Sequence, residues 1–351
     1  MYRKIMGFLE AWKDSVHRKP LILQGARQVG KTYSILEFGR NHYENVAYFN
    51  FETNPKLNET FEENISPDYL IPILSHIAGQ TIVTEKTLIV FDEVQLCERA
   101  LTSLKYFCEN APDYHIIVAG SLLGVAVNRA KFSFPVGKVD MKTLYPMDME
   151  EFMLALGEDD LVEQIKKCFQ TDTPLPSALH DAAMQLYRQY LVVGGMPECV
   201  MQFAETKDYI LVRHTQDTIL ASYLNDMSKY NNLNEIKKTR LAYDNITVQL
   251  SKKNTRFQYK LIKKGGRASE FENAIEWLCL SGIVSQVYKV EQIKKPLENY
   301  RDIDAFKIYV SDLGLLCAKK DLAANDILYM VEEINDFKGG MAELCQCTAL
   351  H

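Results

Sequence analysis

Residues 25–32 read Gly-Ala-Arg-Gln-Val-Gly-Lys-Thr, directly after the apolar run Leu21-Ile22-Leu23 and directly before a helical stretch, Thr32 to Arg40. The order strand, glycine-rich turn, helix constrains the fold strongly. The glycines let the backbone curl so that successive N–H groups point into one concavity, and the helix that follows adds its positive N-terminal dipole. A concavity of that kind holds phosphate oxygens. Within it Gly25, Ala26, Arg27, Gln28, Val29, Gly30, Lys31, Thr32 and the adjoining Tyr33 form the expected cofactor-binding set. Lys31 supplies a cation for the β- and γ-phosphates, and Thr32 a hard hydroxyl ligand for Mg²⁺. Arg27 either touches phosphate or pairs with an acid.

About 60 residues downstream, Leu88 to Glu93 reads LIVFDE, an apolar run ending in two acids. Beside a phosphate loop this is the pattern of a metal-holding carboxylate, Asp92, followed by a residue that orients or deprotonates water, Glu93. A third apolar run, Ile116 to Ser121 (IIVAGS), follows. It supplies the extra strand of P-loop ATPases that carry such a glutamate. Ser121 there is either a sensor beside the γ-phosphate or a strand-ending turn. No Asn-Lys-x-Asp run follows, which favours ATP over GTP. Continuous apolar runs joined by helices predict parallel strands buried on both faces. The arginine-finger candidates are Arg129, Lys138 and Arg213, each of which is equally an ordinary surface charge.

The chain has 351 residues and a formal net charge of −6, which excludes a protein that coats nucleic acid over its whole surface. No apolar run is long enough to span a bilayer. The N-terminal MYRKIMGFLEAWKDS reads as an amphipathic helix of the mature protein, not a leader, and no lipidation motif stands at either end. The eight cysteines are scattered without a C-x-x-C pair, as expected of reduced thiols in a cytoplasmic protein.

From Met147 to about Lys229 the periodicity is helical, broken by a loop at Pro174 and Pro176. Helical segments then precede two β-rich runs, Ile283 to Val290 and Phe306 to Val310, an order that fits a winged helix-turn-helix. Residues 252–267 (KKNTRFQYKLIKKGGR) hold seven basic residues, no acid, and Phe257 and Tyr259 among them. Such a stretch either contacts a phosphate backbone or serves a solvated or intramolecular role. The helix after it carries Glu270, Glu272 and Glu276, which repel phosphates.

Taken in order, RKPLILQGARQVGKT (18–32), VAYFNFETNP (46–55), LIVFDEVQ (88–95), VAGSLLG (118–124), FPVGKVDMKTLYPMDMEEF (134–152), YLVVGGMPE (190–198) and FKIYVSDLGLL (306–316) resemble a family of prokaryotic AAA-type ATPases. Its members carry a winged-helix region and usually a C-terminal domain of unknown function with a PD-(D/E)XK nuclease-like fold. The resemblance implies nucleotide-binding roles for Gly25, Gly30, Lys31, Thr32, Asp92 and Glu93, and a sensor role for Ser121. It also implies a cytoplasmic bacterial or archaeal protein. The sequence departs from the family at its end. DFKGGMAE (336–343) looks like the entry to the nuclease-like domain, but CQCTALH follows Leu344. A truncation or shifted reading frame would explain this, and Glu343 would then lack the partners of two-metal cleavage. Apolar surface exposed near 334–344 would mark a non-functional remnant.

The expected architecture is an α/β P-loop NTPase parallel sheet (1–150), a helical subdomain (151–230), a winged helix-turn-helix domain (231–320) and a nuclease-like remnant (321–351). The expected function is Mg²⁺-dependent ATP hydrolysis coupled to that DNA- or protein-binding module. The alternative is a nucleotide-gated binding protein with negligible turnover. The expected partners are ATP, DNA through residues 252–267, and another protein or a second copy of the chain. No membrane is expected.

Overall fold

The computed structural model describes residues 1–120, 135–229, 233–250, 256–330 and 335–349. The chain divides into two compact units, Arg3–Tyr145 on one hand and Pro146–His351 with Met1–Tyr2 on the other.

The first unit runs α1 (Ile5–Lys13), β1 (Leu21–Gln24), α2 (Lys31–His42), β2 (Asn45–Asn50), α3 (Lys56–Glu63), α4 (Pro67–Ala78), β3 (Thr87–Asp92), α5 (Glu98–Asn110), β4 (His115–Ala119) and β5 (Asp140–Thr143). The strands form one parallel sheet in the order β2-β3-β4-β1-β5. The inner strands β3 and β4 are buried at every position. This follows from their unbroken apolar sequences, because a strand covered on both faces has no polar side to alternate with. Insertion of β4 between β1 and β3 sets the loop after β1 and the end of β3 at the same edge of the sheet. Phe91 anchors the face under α3 and α5, its ring lying 5.5–6.0 Å from Phe49, Phe51 and Phe61. Helix α1 buries Ile5, Leu9 and Trp12, the amphipathic stripe seen in the sequence. Just before it, buried Arg3 donates to the carbonyls of Val29 (2.9 Å) and Tyr145 (2.7 Å).

The second unit begins with α6 (Met149–Ala155), started by a capping box in which the Asp148 and Glu151 side chains each accept from the other's backbone N–H. Helices α7 (Asp159–Gln170), α8 (Ser177–Val193), α9 (Pro197–Thr206), α10 (Tyr209–Lys229), α11 (Leu233–Leu250) and α12 (Ala268–Leu280) follow. An antiparallel pair, β6 (Val284–Val290) with β7 (Arg301–Val310), comes next. The chain closes with α13 (Leu313–Lys319), α14 (Ala324–Leu328) and α15 (Asn335–Ala349). Asp312 caps α13 by accepting from Leu315 N–H at 2.8 Å. Its other oxygen accepts from Gly195 N–H, in the turn between α8 and α9. Met147 N–H donates to Gly195 O at 2.7 Å and Tyr190 OH to Met147 O at 2.8 Å. The YLVVGGMPE and YVSDLGLL blocks are thus two sides of one buried joint.

Phe257 is buried and stacks on Phe306 at 5.7 Å, and Tyr259 meets both rings edge-on. Phe257 thus packs on β7 and is not held out among the basic residues, because a ring gains more from burial than from solvent, while Tyr259 beside it is partly buried. On α15, Met341 and Leu344 are buried. Glu343 accepts from Lys307 Nζ (2.8 Å) and Tyr309 OH (2.9 Å) on β7. Among the described residues no helix is long and apolar enough to cross a membrane. The cysteines among them are free thiols, with Cys97, Cys199 and Cys317 buried.

Candidate functional site

The loop from Gly25 to Gly30 joins β1 to α2. Its backbone alternates into the left-handed region at Gln28 (φ 66°) and Gly30 (φ 91°), the curl that turns successive N–H groups to one side. Gly25 has φ 146°, and a Cβ there would lie 2.2 Å from Leu144 O. Only glycine lets the loop pass that close to the end of β5. No side chain caps α2, so its first N–H groups have no acceptor from a capping residue and suit an anion. Val29 and Ala26 are buried and fix the loop's floor, whereas Tyr33 is half exposed.

Lys31 is buried and donates to the carbonyls of Gly25 (2.9 Å) and Ala26 (2.7 Å). Burial lowers its pKa to about 8, against the opposing pull of Glu93 and Asp92. Thr32 Oγ1 donates to Asp92 Oδ2 at 2.8 Å. This bond brings the first residues of α2 and the last residue of β3 together across 60 positions of sequence. Asp92 is held from two further directions: Tyr48 OH donates to Oδ2 at 2.7 Å and Glu93 N–H to Oδ1 at 2.9 Å. Tyr48 in turn accepts from Asn50 Nδ2 at 3.2 Å. Burial pushes the Tyr48 phenol up to about 12, so it remains a donor.

Glu93 sits in the left-handed region (φ 52°), a costly conformation for a residue with a side chain, and its carboxylate accepts from Gln95 Nε2. Burial raises its pKa from the ordinary carboxylate value. A carboxylate that burial makes more basic, one residue past Asp92, has the chemistry to orient a water.

Ser121 and Arg129 lie outside the described residues. Lys138 forms an ion pair with Glu109 at 3.0 Å, and Arg213 donates to the carbonyls of Ala318 (3.3 Å) and Leu322. Both finger candidates are therefore engaged by their own chain. Tyr48, Asn50, Gln95 and Arg3 were missed by sequence reasoning. For the first two the signal was present: positions i and i+2 of β2 share a face, next to the strand that carries Asp92.

This sheet order and loop define an α/β P-loop NTPase fold, and residues 17–153 match the model of an AAA domain family. The first unit is accordingly similar to an AAA domain over that stretch. Residues 184–326 match a second model, described as a domain of unknown function, DUF8612. No curated protein matches the chain in sequence. Among solved structures, the Walker-type ATPase PABY2304 of Pyrococcus abyssi is similar over 91% of this chain and 95% of its own, at 13% identity and a TM-score of 0.56. The ORC2 protein of Aeropyrum pernix, solved as ADPNP–ADP complexes, aligns over 100% of this chain and 96% of its own, at 12% identity and a TM-score of 0.42. The first likeness is one of fold alone.

Proposed function

We propose that the protein binds ATP with Mg²⁺ at Gly25–Thr32 and hydrolyses it, using the cycle to change the state of its second unit. The observation that carries this reading is the 2.8 Å bond from Thr32 Oγ1 to Asp92 Oδ2. A hydroxyl and a carboxylate oxygen side by side, at the open end of a phosphate loop, are the hard donor set that Mg²⁺ takes with phosphate oxygens. When bound, the metal neutralises charge on the β- and γ-phosphates. Backbone N–H groups of residues 25–32 would cradle the phosphates, and Lys31 would leave its carbonyl partners for them. Asp92 and Thr32 would hold the metal, Glu93 would orient the attacking water, and Ser121 would sense the γ-phosphate.

In the second unit α11, α12 and the β6–β7 pair follow the order of a winged helix, and Phe257 N–H donates to Phe306 O at 2.7 Å, which adds an extended segment beside the pair. We read this module as the DNA- or protein-binding partner of the ATPase. Lys260, Lys263, Lys264 and Arg267 are the residues that would meet phosphates, although Lys263 already pairs with Glu270 at 3.2 Å.

The test is a Mg²⁺-dependent ATPase assay on purified protein. Lys31→Ala is expected to abolish binding and turnover, and Glu93→Gln to keep ATP binding while lowering turnover by at least about a hundredfold. A wild type that neither binds nor hydrolyses ATP overturns the reading. A second reading, nucleotide-gated binding with negligible turnover, is favoured by the contact of Glu93 with Gln95. A wild type that binds ATP but turns over no faster than Glu93→Gln selects it.

A further inference from the structure

Asp92 accepts two hydrogen bonds on one oxygen, from Thr32 and from Tyr48, and a third on the other. Two of these donors are intrinsic to the motifs, because Thr32 ends the phosphate loop and Glu93 N–H follows Asp92 in the chain. Tyr48 is an outside donor. It reaches Asp92 from β2, the edge strand, whose Asn50 pairs in register with Asp92 and whose Tyr48 pairs with Val90. Its hydroxyl proton has a fixed direction. The Asn50 amide donates into the Tyr48 oxygen, so the tyrosine proton is left for Asp92. The amide is itself oriented, because Asn50 Oδ1 accepts from Glu52 N–H (2.8 Å) and Thr53 N–H (3.0 Å) in the turn after the strand. The relay therefore runs from a backbone turn through Asn50 and Tyr48 to the carboxylate.

Resting on the Mg²⁺–ATP reading above, we infer that Tyr48, oriented by Asn50, is a positioning residue that fixes the rotation of the Asp92 carboxylate for the divalent cation. A carboxylate with all three donors in place presents its remaining lone pair in one direction. Without Tyr48 the oxygen beside Thr32 keeps only the bond from Thr32, and the carboxylate turns more widely about its Cβ–Cγ bond. Outer partners of metal ligands act in this way, and their loss typically weakens metal affinity by about ten- to a hundredfold. Tyr48 touches neither phosphate nor water in this scheme. Its effect is confined to the metal.

The test is Tyr48→Phe, which keeps the ring and removes only the hydroxyl. Binding of a fluorescent ATP analogue is followed as Mg²⁺ is titrated, and again in EDTA, with thermal melting alongside. The expected result is a Mg²⁺ half-saturation raised about tenfold, with unchanged affinity in EDTA and an unchanged melting temperature. Asn50→Ala moves the half-saturation in the same direction by less. A Tyr48→Phe protein whose Mg²⁺ half-saturation equals wild type overturns the role of Tyr48 and leaves the ATPase reading standing. Equal loss of affinity with and without Mg²⁺ overturns it as well, since that is general damage to the loop. A wild type whose ATP affinity ignores Mg²⁺ overturns both readings together.

Discussion

Asp312 Oδ2 accepts a hydrogen bond from the backbone N–H of Gly195 at 2.5 Å, across 117 residues of sequence. The same carboxylate caps α13 through Leu315 N–H. Replacing it by alanine leaves two buried donors without their acceptor, at about 1–3 kcal/mol each. We expect Asp312→Ala to lower unfolding free energy by about 3 kcal/mol, measured by chemical denaturation. Gly195→Ala should cost at least as much, because a Cβ there would lie 1.9 Å from Met147 O, which is backbone and cannot swing aside.

Gly25 and Gly79 separate steric need from backbone freedom. Both have positive φ, but a Cβ on Gly79 meets nothing within 4 Å, whereas one on Gly25 strikes Leu144 O. Leu144 is itself held by its N–H bond to Gln24 O at 2.8 Å. Gly25→Ala is therefore expected to weaken ATP affinity at least about tenfold and to cost about 1–3 kcal/mol in stability. Gly79→Ala should cost about 1 kcal/mol with ATP affinity unchanged, and titration of both variants with a fluorescent analogue checks this.

His115, at the start of β4, is buried, and its Nδ1 lies 2.7 Å from Tyr43 OH while Nε2 has no hydrogen-bond partner. Burial, with the nearby charges of Arg18 and Lys13, lowers its pKa from 6.5 to about 4. The unfolded chain takes up the proton first as pH falls. Stability from the neutral imidazole is thus complete above pH 6.5 and declines as pH drops toward 4, by at most about 1.4 kcal/mol per unit. Denaturant midpoints between pH 6.5 and 5 should fall in wild type, and fall less in His115→Gln.

Much of the first unit could be read from the sequence because its physics is local. The runs at 21–23, 88–91 and 116–119 are apolar without a break, and both-face burial demands that. The glycines of 25–32 announce a curl before any contact is known. Strand β5, Asp-Met-Lys-Thr, could not be read so: it lies at the edge, only partly covered, and its sequence carries no apolar run. Tyr48 shares a face of β2 with Asn50, which its spacing shows, but that this face meets Asp92 is set by strand pairing, which one strand's pattern does not disclose. The Gly195–Asp312 joint depends on two distant blocks that only packing brings together. The place of Phe257 stayed open because a basic neighbourhood says where the lysines go and nothing about the ring between them.

In the proposed function, Thr32 and Asp92 form one Mg²⁺ position at the mouth of the phosphate loop. The most direct measurement is the Kd of ATP with and without Mg²⁺ for wild type and Asp92→Asn. Mg²⁺ is expected to tighten wild-type binding by about tenfold or more, and Asp92→Asn to keep the metal-free affinity but lose the gain. An equal Mg²⁺ effect in both proteins, or no ATP binding by wild type, would contradict it.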